Sequence, residues 1–261
     1  MTVADVDVIK TIYRQKTILF SHVNQTTSTN SDLLNWVKKE FEEDIIVLST
    51  DQQTAGRGTR GREWKMPQEA LLFSVAVPLS VPLNRYIGVT LSIGMKMVRF
   101  LRLQGIDAYL KWPNDILVNQ RKIAGILVEN TKNSVGVDTL IIGIGLNLKQ
   151  VDFQLDEYSA CAVSDFVDFC WNNSLKKEWV GSMVKDIVDS IDEIQSEGMT
   201  KTVTEWKNVA AYQNELIDLY QDGEFVCSAI QHGIDESGRL LVSTPDGVRS
   251  FMSGTIRLRK K

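Results

Sequence analysis

Cysteine, proline and histidine are scarce in this sequence of 261 residues, with three, five and two of each. Cys161, Cys170 and Cys227 have neither metal-ligand spacing nor the even count of a disulfide framework, so reduced core thiols are expected. His22 and His232 are isolated and read as structural or surface residues rather than bases. No apolar run is long enough to span a bilayer, and Met1 to Lys16 contains no apolar signal core. A cytoplasmic protein without a membrane partner is expected. The Gly-Lys-Ser/Thr ending of the standard phosphate loop is also missing, so a nucleotide, if used, must be bound another way. The formal net charge of -4 gives no support to general nucleic-acid binding.

What the chain does have is an ordinary globular composition, 43% hydrophobic and 24% charged, enough for a sizeable core. Ser28-Thr29-Asn30 precedes an amphipathic stretch in which Leu33, Leu34, Val37 and Phe41 share a face, so these polar residues read as a helix N-cap region. Strands are expected over Ile45–Leu48 and Ala70–Val77. A second helix carries Ile87, Leu91, Met95, Val98 and Leu101, and a third carries Trp179, Met183, Ile187, Ile191 and Ile194. Between them lie strand candidates Tyr109–Lys111, Ile116–Val118, Ile123–Glu129 and Leu140–Leu148. Pro113 belongs at a strand end or bulge. After about Ala211, five short strand candidates are separated by Asp222-Gly223, Glu236-Ser237-Gly238 and Asp246-Gly247. These suggest a small β-barrel of about fifty residues.

Three stretches carry chemistry. Gln53 to Trp64 holds Gly56, Gly58 and Gly61 among Arg57, Arg60 and Arg62, glycines for close backbone approach and guanidiniums for carboxylate or phosphate. Alone, it fits a solvated basic loop or nucleic-acid patch equally well. Lys111-Trp112-Pro113-Asn114-Asp115 gathers a cation, an amide and a carboxylate around a backbone break. Lys122 then opens an apolar strand running to Glu129, and a hairpin of that length returns it towards Lys111 and Asp115. Gly143-Ile144-Gly145 lacks the rest of a dinucleotide fingerprint and reads as a strand whose glycines leave room for a ligand, with Asn147 beside it.

The order Ser-Thr-Asn, Gln-Thr-Ala-Gly-Arg-Gly, Lys-Trp-Pro-Asn-Asp, Lys-Ile-Ala-Gly-Ile-Leu-Val-Glu and Gly-x-Gly-x-Asn resembles the catalytic domain of biotin–protein ligases. The likeness extends from about residue 15 to the end. It implies an α/β (α+β) catalytic domain with a mixed sheet over residues 1–212, similar to class II aminoacyl-tRNA synthetases and lipoate ligases. An SH3-like barrel is implied over 213–261. It further implies ATP-dependent formation of biotinyl-AMP and transfer of biotin to a lysine of a biotin carboxyl carrier domain, with Mg²⁺ as cofactor.

The resemblance also implies roles for residues. Ser28, Thr29, Asn30 and Gln53 match biotin-binding positions. Gly56, Arg57, Gly58, Thr59 and Trp64 match the loop over biotin and its adenylate, with Trp64 either stacking on adenine or anchoring the loop. Lys122 is the leading catalytic residue, joined by Arg57, Lys111 and Asp115. Gly125, Gly145 and Asn147 line the adenylate site. Arg60, Arg62, Asn114 and Asp115 are assigned to phosphate, and Asp115 to Mg²⁺ or to the acceptor lysine. Many family members carry a second arginine where this chain has Thr59, a departure that bears on adenylate retention. About twenty residues precede the first motif, too few for the DNA-binding module of some relatives, so no DNA binding is expected. A homodimer is compatible with the family. The rivals are a lipoate or other acyl-protein ligase, a nucleic-acid-binding module, and a non-catalytic biotin-binding protein.

Overall fold

Ala70–Val77 and Leu140–Leu148 are apolar at nearly every position, a pattern that requires cover on both faces of a sheet. The computed structural model, which describes residues 9–39, 44–151, 159–221, 223–254 and 256–260, shows that cover. The chain begins with β1 (Ile9–Tyr13), β2 (Lys16–Thr26), α1 (Thr29–Lys39), β3 (Ile45–Gln53) and β4 (Glu69–Pro78). It continues through α2 (Val89–Leu103), β5 (Tyr109–Lys111), β6 (Asp115–Val118), β7 (Arg121–Lys132) and β8 (Asp138–Lys149). Helices α3 (Asn173–Glu197) and α4 (Thr200–Glu205) lead to β9 (Leu216–Gln221), β10 (Glu224–Ile234), β11 (Leu240–Thr244), β12 (Gly247–Phe251) and β13 (Ile256–Lys260).

The first eight strands form one mixed sheet in the order β1-β2-β3-β4-β8-β7-β6-β5. Only the β2–β3 pairing is parallel. On one face Val47, Phe73, Val75, Ile142 and Ile144 pack with Val98 and Leu101 of α2 and Met183, Ile187 and Ile191 of α3. On the other face Ile46, Leu48, Ala76 and Ile141 meet Leu33 and Val37 of α1. Alternate side chains of the same strands thus enter two different clusters, as a period of two dictates. Phe41, expected on the α1 face, lies outside the described residues, as do Asp222 and Thr255.

The last five strands form an antiparallel sheet in the order β12-β11-β10-β9-β13. This matches the expected strand content, and the two edge strands are not paired with each other among the described residues. Its buried side chains, among them Ile217, Leu219, Leu240 and Leu258, belong to the same contiguous core as α2 and α3.

Three expectations need correction. The N-terminal lead holds a hairpin, β1–β2, that the sequence reading missed. Ile87 is half exposed because α2 starts beyond Gly88, whose φ of 82° breaks the helical path. Of the thiols only Cys161 is buried, while Cys170 is exposed and Cys227 intermediate. Burial pushes the Cys161 thiol up to about 12, so it stays protonated and inert.

Candidate active site

The site forms where α1 stops covering its face of the large sheet. Ser28 caps α1, its carbonyl accepting from Asp32 N–H at 3.0 Å and its hydroxyl from Ser31 N–H at 3.4 Å. The first residues of the helix, Thr29 and Asn30, are therefore buried against β4 and β8. Beyond them the sheet floor is glycine. A Cβ at Gly143 would lie 2.3 Å from Asn30 Oδ1, and one at Gly145 would lie 2.5 Å from Trp64 Cζ2. Gly125, opposite Gly145 in the β7–β8 register, would clash less severely, at 3.0 Å from Trp64 Cζ3. The glycines leave room for an indole and an amide that in turn shape a cavity of about 210 Å³.

The glycine–arginine stretch is a short hairpin rather than a slack loop. Trp64 N–H donates to the Gly56 carbonyl at 2.9 Å and Gly58 N–H to the Arg62 carbonyl at 2.7 Å. Arg57 bridges to Glu63 between these bonds, and the tip turns through Arg60 and Gly61, with φ of 60° and 71°. Trp64 is the hairpin's anchor on the glycine floor.

Lys122 enters from the other side. The β5–β6 register sets Lys111 opposite Asp115, and β6–β7 sets Asp115 opposite Gly125. A bulge between Ile116 and Leu117 then aims Lys122 at Asp115, with Nζ 2.5 Å from Oδ1. The ammonium also sits 5.3 Å from the Trp64 ring centroid. Its backbone is held on both sides, since Lys122 N–H donates to Ser159 and its carbonyl accepts from Cys161 N–H. Two buried polar atoms near this centre, Trp64 Nε1 and Asn147 Oδ1, have no protein hydrogen-bond partner among the described residues. They leave one donor and one acceptor for a ligand.

Residues 22–147 match the model of the biotin/lipoate A/B protein ligase family, and residues 220–259 match the biotin protein ligase C-terminal domain. The chain is 30% identical to the bifunctional ligase/repressor BirA of Salmonella typhimurium over 236 residues, covering 89% of this chain and 72% of that one. The chain belongs to the biotin protein ligase family. Its similarity to the biotin–[acetyl-CoA-carboxylase] ligase of Paracoccus denitrificans, at 28% identity, covers 85% of this chain and 93% of that one. A solved biotin protein ligase from Aquifex aeolicus, in complex with biotin and ATP, superposes with a TM-score of 0.78 at 26% identity, covering 93% and 99% of the two chains.

Within this ligase-family site, most of the residues singled out in the sequence converge. Ser28, Thr29, Asn30, Gln53, Arg57, Gly58, Thr59, Arg62, Trp64, Asn114, Lys122, Gly125, Gly145 and Asn147 all line the cavity. Gly56 lies just behind the wall, where a Cβ would come 3.0 Å from the Trp64 carbonyl. Lys111 and Asp115 are buried beside Lys122.

Some side chains point elsewhere than their assigned roles require. Arg60 is not among the residues that line the cavity, and its guanidinium donates to the Ile256 carbonyl of β13 at 2.7 Å, a link with the second sheet. Arg57 gives both terminal nitrogens to Glu129, at 2.7 and 3.1 Å. Asn114 Nδ2 donates to the Ile126 carbonyl, and Asn147 Nδ2 to that of Cys161, so each braces backbone. Asp115 does not suit a resident Mg²⁺: its carboxylate already meets Lys122, and no cluster of three or more acidic, histidine or cysteine groups occurs among the described residues.

Two polar residues behind the wall carry no signal that the sequence analysis used. Ser74 is fully buried within a run of apolar residues, and that lone polar position in a two-sided strand was a usable signal. Glu129 ends the Lys122 motif but reaches the site only through the register of β7 on β8, which no local pattern reveals.

Proposed function

We propose that biotin and ATP meet in this cavity. The enzyme joins the biotin carboxylate to AMP with release of pyrophosphate, then passes the biotinyl group to a lysine of a carboxyl carrier domain with release of AMP. The observation that carries this is the convergence of Thr29, Gln53, Trp64 and Lys122 on one cavity. An apolar floor with a few fixed polar groups suits a small bicyclic urea with a carboxylate tail. Negative charge gathers at the α-phosphate as pyrophosphate leaves, and the Lys122 ammonium, held by Asp115, stabilises it there. The mixed anhydride hydrolyses readily, and the 56–64 hairpin above it excludes water. The acceptor lysine, with an ordinary pKa of ~10.4, must lose a proton before it attacks, a role assigned to Asp115, whose carboxylate lies behind the cavity wall on Lys122.

Mg²⁺ enters as a companion of the ATP phosphates rather than as an ion held by Asp115. The five-stranded second sheet is read as an SH3-like barrel, on strand number and order. A cytoplasmic setting follows from the use of ATP, and no described helix is long and apolar enough to cross a membrane. The repressor half of the BirA name is not carried over, since the net charge of -4 disfavours a DNA surface. A homodimer is supported by the edge position of β1, which pairs only with β2 among the described residues and exposes Ile9 and Ile12, and sedimentation would test it.

The assay is incubation with ATP, Mg²⁺, biotin and a biotin carboxyl carrier domain, followed by mass measurement of the acceptor. One added biotinyl group is expected. Transfer of lipoate in preference to biotin would overturn the substrate, and no transfer of either would overturn the reaction.

A further inference from the structure

The cavity wall contains a chain of hydrogen bonds whose direction is fixed at both ends. Asn30 Nδ2 donates to Glu129 Oε2 at 3.0 Å, and Arg57 donates to both carboxylate oxygens. An ionised carboxylate only accepts, so Asn30 must turn its nitrogen to Glu129 and its oxygen to Ser74, 2.5 Å away. The Ser74 proton is thereby spent on Asn30. The contact of 2.6 Å between Ser74 Oγ and Thr29 Oγ1 must then use the Thr29 proton. At the far end Thr29 N–H donates to Gln53 Oε1 at 2.8 Å, which fixes the orientation of that amide. The 3.2 Å approach of Thr29 Oγ1 to Gln53 Oε1 is left without a proton.

We propose that Glu129, acting through Asn30 and Ser74, sets the polarity of the pocket by making the Thr29 hydroxyl an acceptor towards ligand. Glu129 and Ser74 are positioning residues, since neither lines the cavity that Thr29 lines. The pocket therefore selects a ring that offers an N–H to Thr29. This rests on the biotin assignment above and adds the residues that enforce it. Glu129→Gln is nearly isosteric but introduces a donor where donors already converge. With the amide nitrogen at the Oε2 position, where Asn30 and Arg57 both donate, Asn30 reverses, Ser74 then donates to Thr29, and the Thr29 proton moves to Gln53. The chain runs backwards, and Ser74 takes one of the two lone pairs that Thr29 offered to the ligand.

The test is calorimetric titration of the full chain with biotin, without ATP, in wild type, Glu129→Gln, Ser74→Ala and the double variant. Glu129→Gln is expected to weaken binding about tenfold in the presence of Ser74 and by no more than about twofold in the Ser74→Ala background, where the chain is cut. A Glu129 that merely props the hairpin through Arg57 would give the same penalty in both backgrounds. That result, or undiminished binding by Glu129→Gln, overturns the proposal. A wild-type chain that binds no biotin overturns the functional assignment and this inference with it, whereas binding by wild type and variants alike overturns this inference alone. Should Ser74→Ala fail to fold, biotin methylated at each ring nitrogen in turn replaces it. Loss of the N–H that meets Thr29 should then cost wild type about tenfold and Glu129→Gln little, and equal losses count against the proposal.

Discussion

The two faces of β4 and β8 are built from alternate residues of the same few peptides, yet they obey different rules. Phe73, Val75, Ile142 and Ile144 enter the helix-covered core, where volume and apolarity suffice. One step along the chain, Ser74, Gly143, Gly145 and Asn147 face the cavity side, where a hydroxyl, two missing side chains and an amide each meet a particular partner. The first face stores stability. The second gives it up for shape and hydrogen-bond direction, as functional surfaces tend to do.

Substitutions on either side should separate these properties. The largest effect is expected at Ile142, buried in the core and absent from the cavity lining, where Ile142→Ala should cost ~2–5 kcal/mol of stability in denaturant unfolding. The protein that remains folded should keep its affinity for biotin; a large affinity change would mean the faces are not independent. Next comes Lys122→Ala, expected to slow biotin-dependent pyrophosphate release by about 10²–10³-fold. Its circular dichroism should stay native, and near-normal release would remove Lys122 from the chemistry. Gly143→Ala places a methyl against Asn30 and should cost ~1–3 kcal/mol, felt more in biotin titration than in thermal unfolding. The reverse ranking would make the glycine floor a packing feature only. The smallest change is expected from Arg60→Ala, which removes the hydrogen bond to the Ile256 carbonyl and should cost about 1 kcal/mol of stability. It should also speed the escape of adenylate into solution in a quench assay, and unchanged escape would detach the hairpin tip from retention.

The helix-covered face was legible in the sequence because periodicity alone specifies it. The stripe from Trp179 to Ile194 became α3, and the apolar runs became β4 and β8 with only their ends extended. Turns tell a sharper story. Asn119-Gln120 was read as a turn from its polar pair, and both residues have positive φ, 48° and 62°. Arg14-Gln15 makes the same kind of turn, at 47° and 64°, without glycine, asparagine or aspartate, so the β1–β2 hairpin left no signature. In the candidate site, residues from contiguous motifs come together on one cavity. Sequence gives a guanidinium no direction, and the bond from Arg60 to the second sheet could not be read from it. Glu129 and Ser74 matter through partners far away in sequence, which only register brings together.

Bonds that tie the carboxy-terminal sheet to the catalytic half include Trp112 Nε1 to the Gly238 carbonyl and Arg60 to that of Ile256. One grips the backbone break beside Lys111 and Asp115, and the other grips the tip of the cover. A small appendage thus holds both jaws of the reaction chamber, and a carrier domain that nudged it on docking would be pulling on floor and roof together.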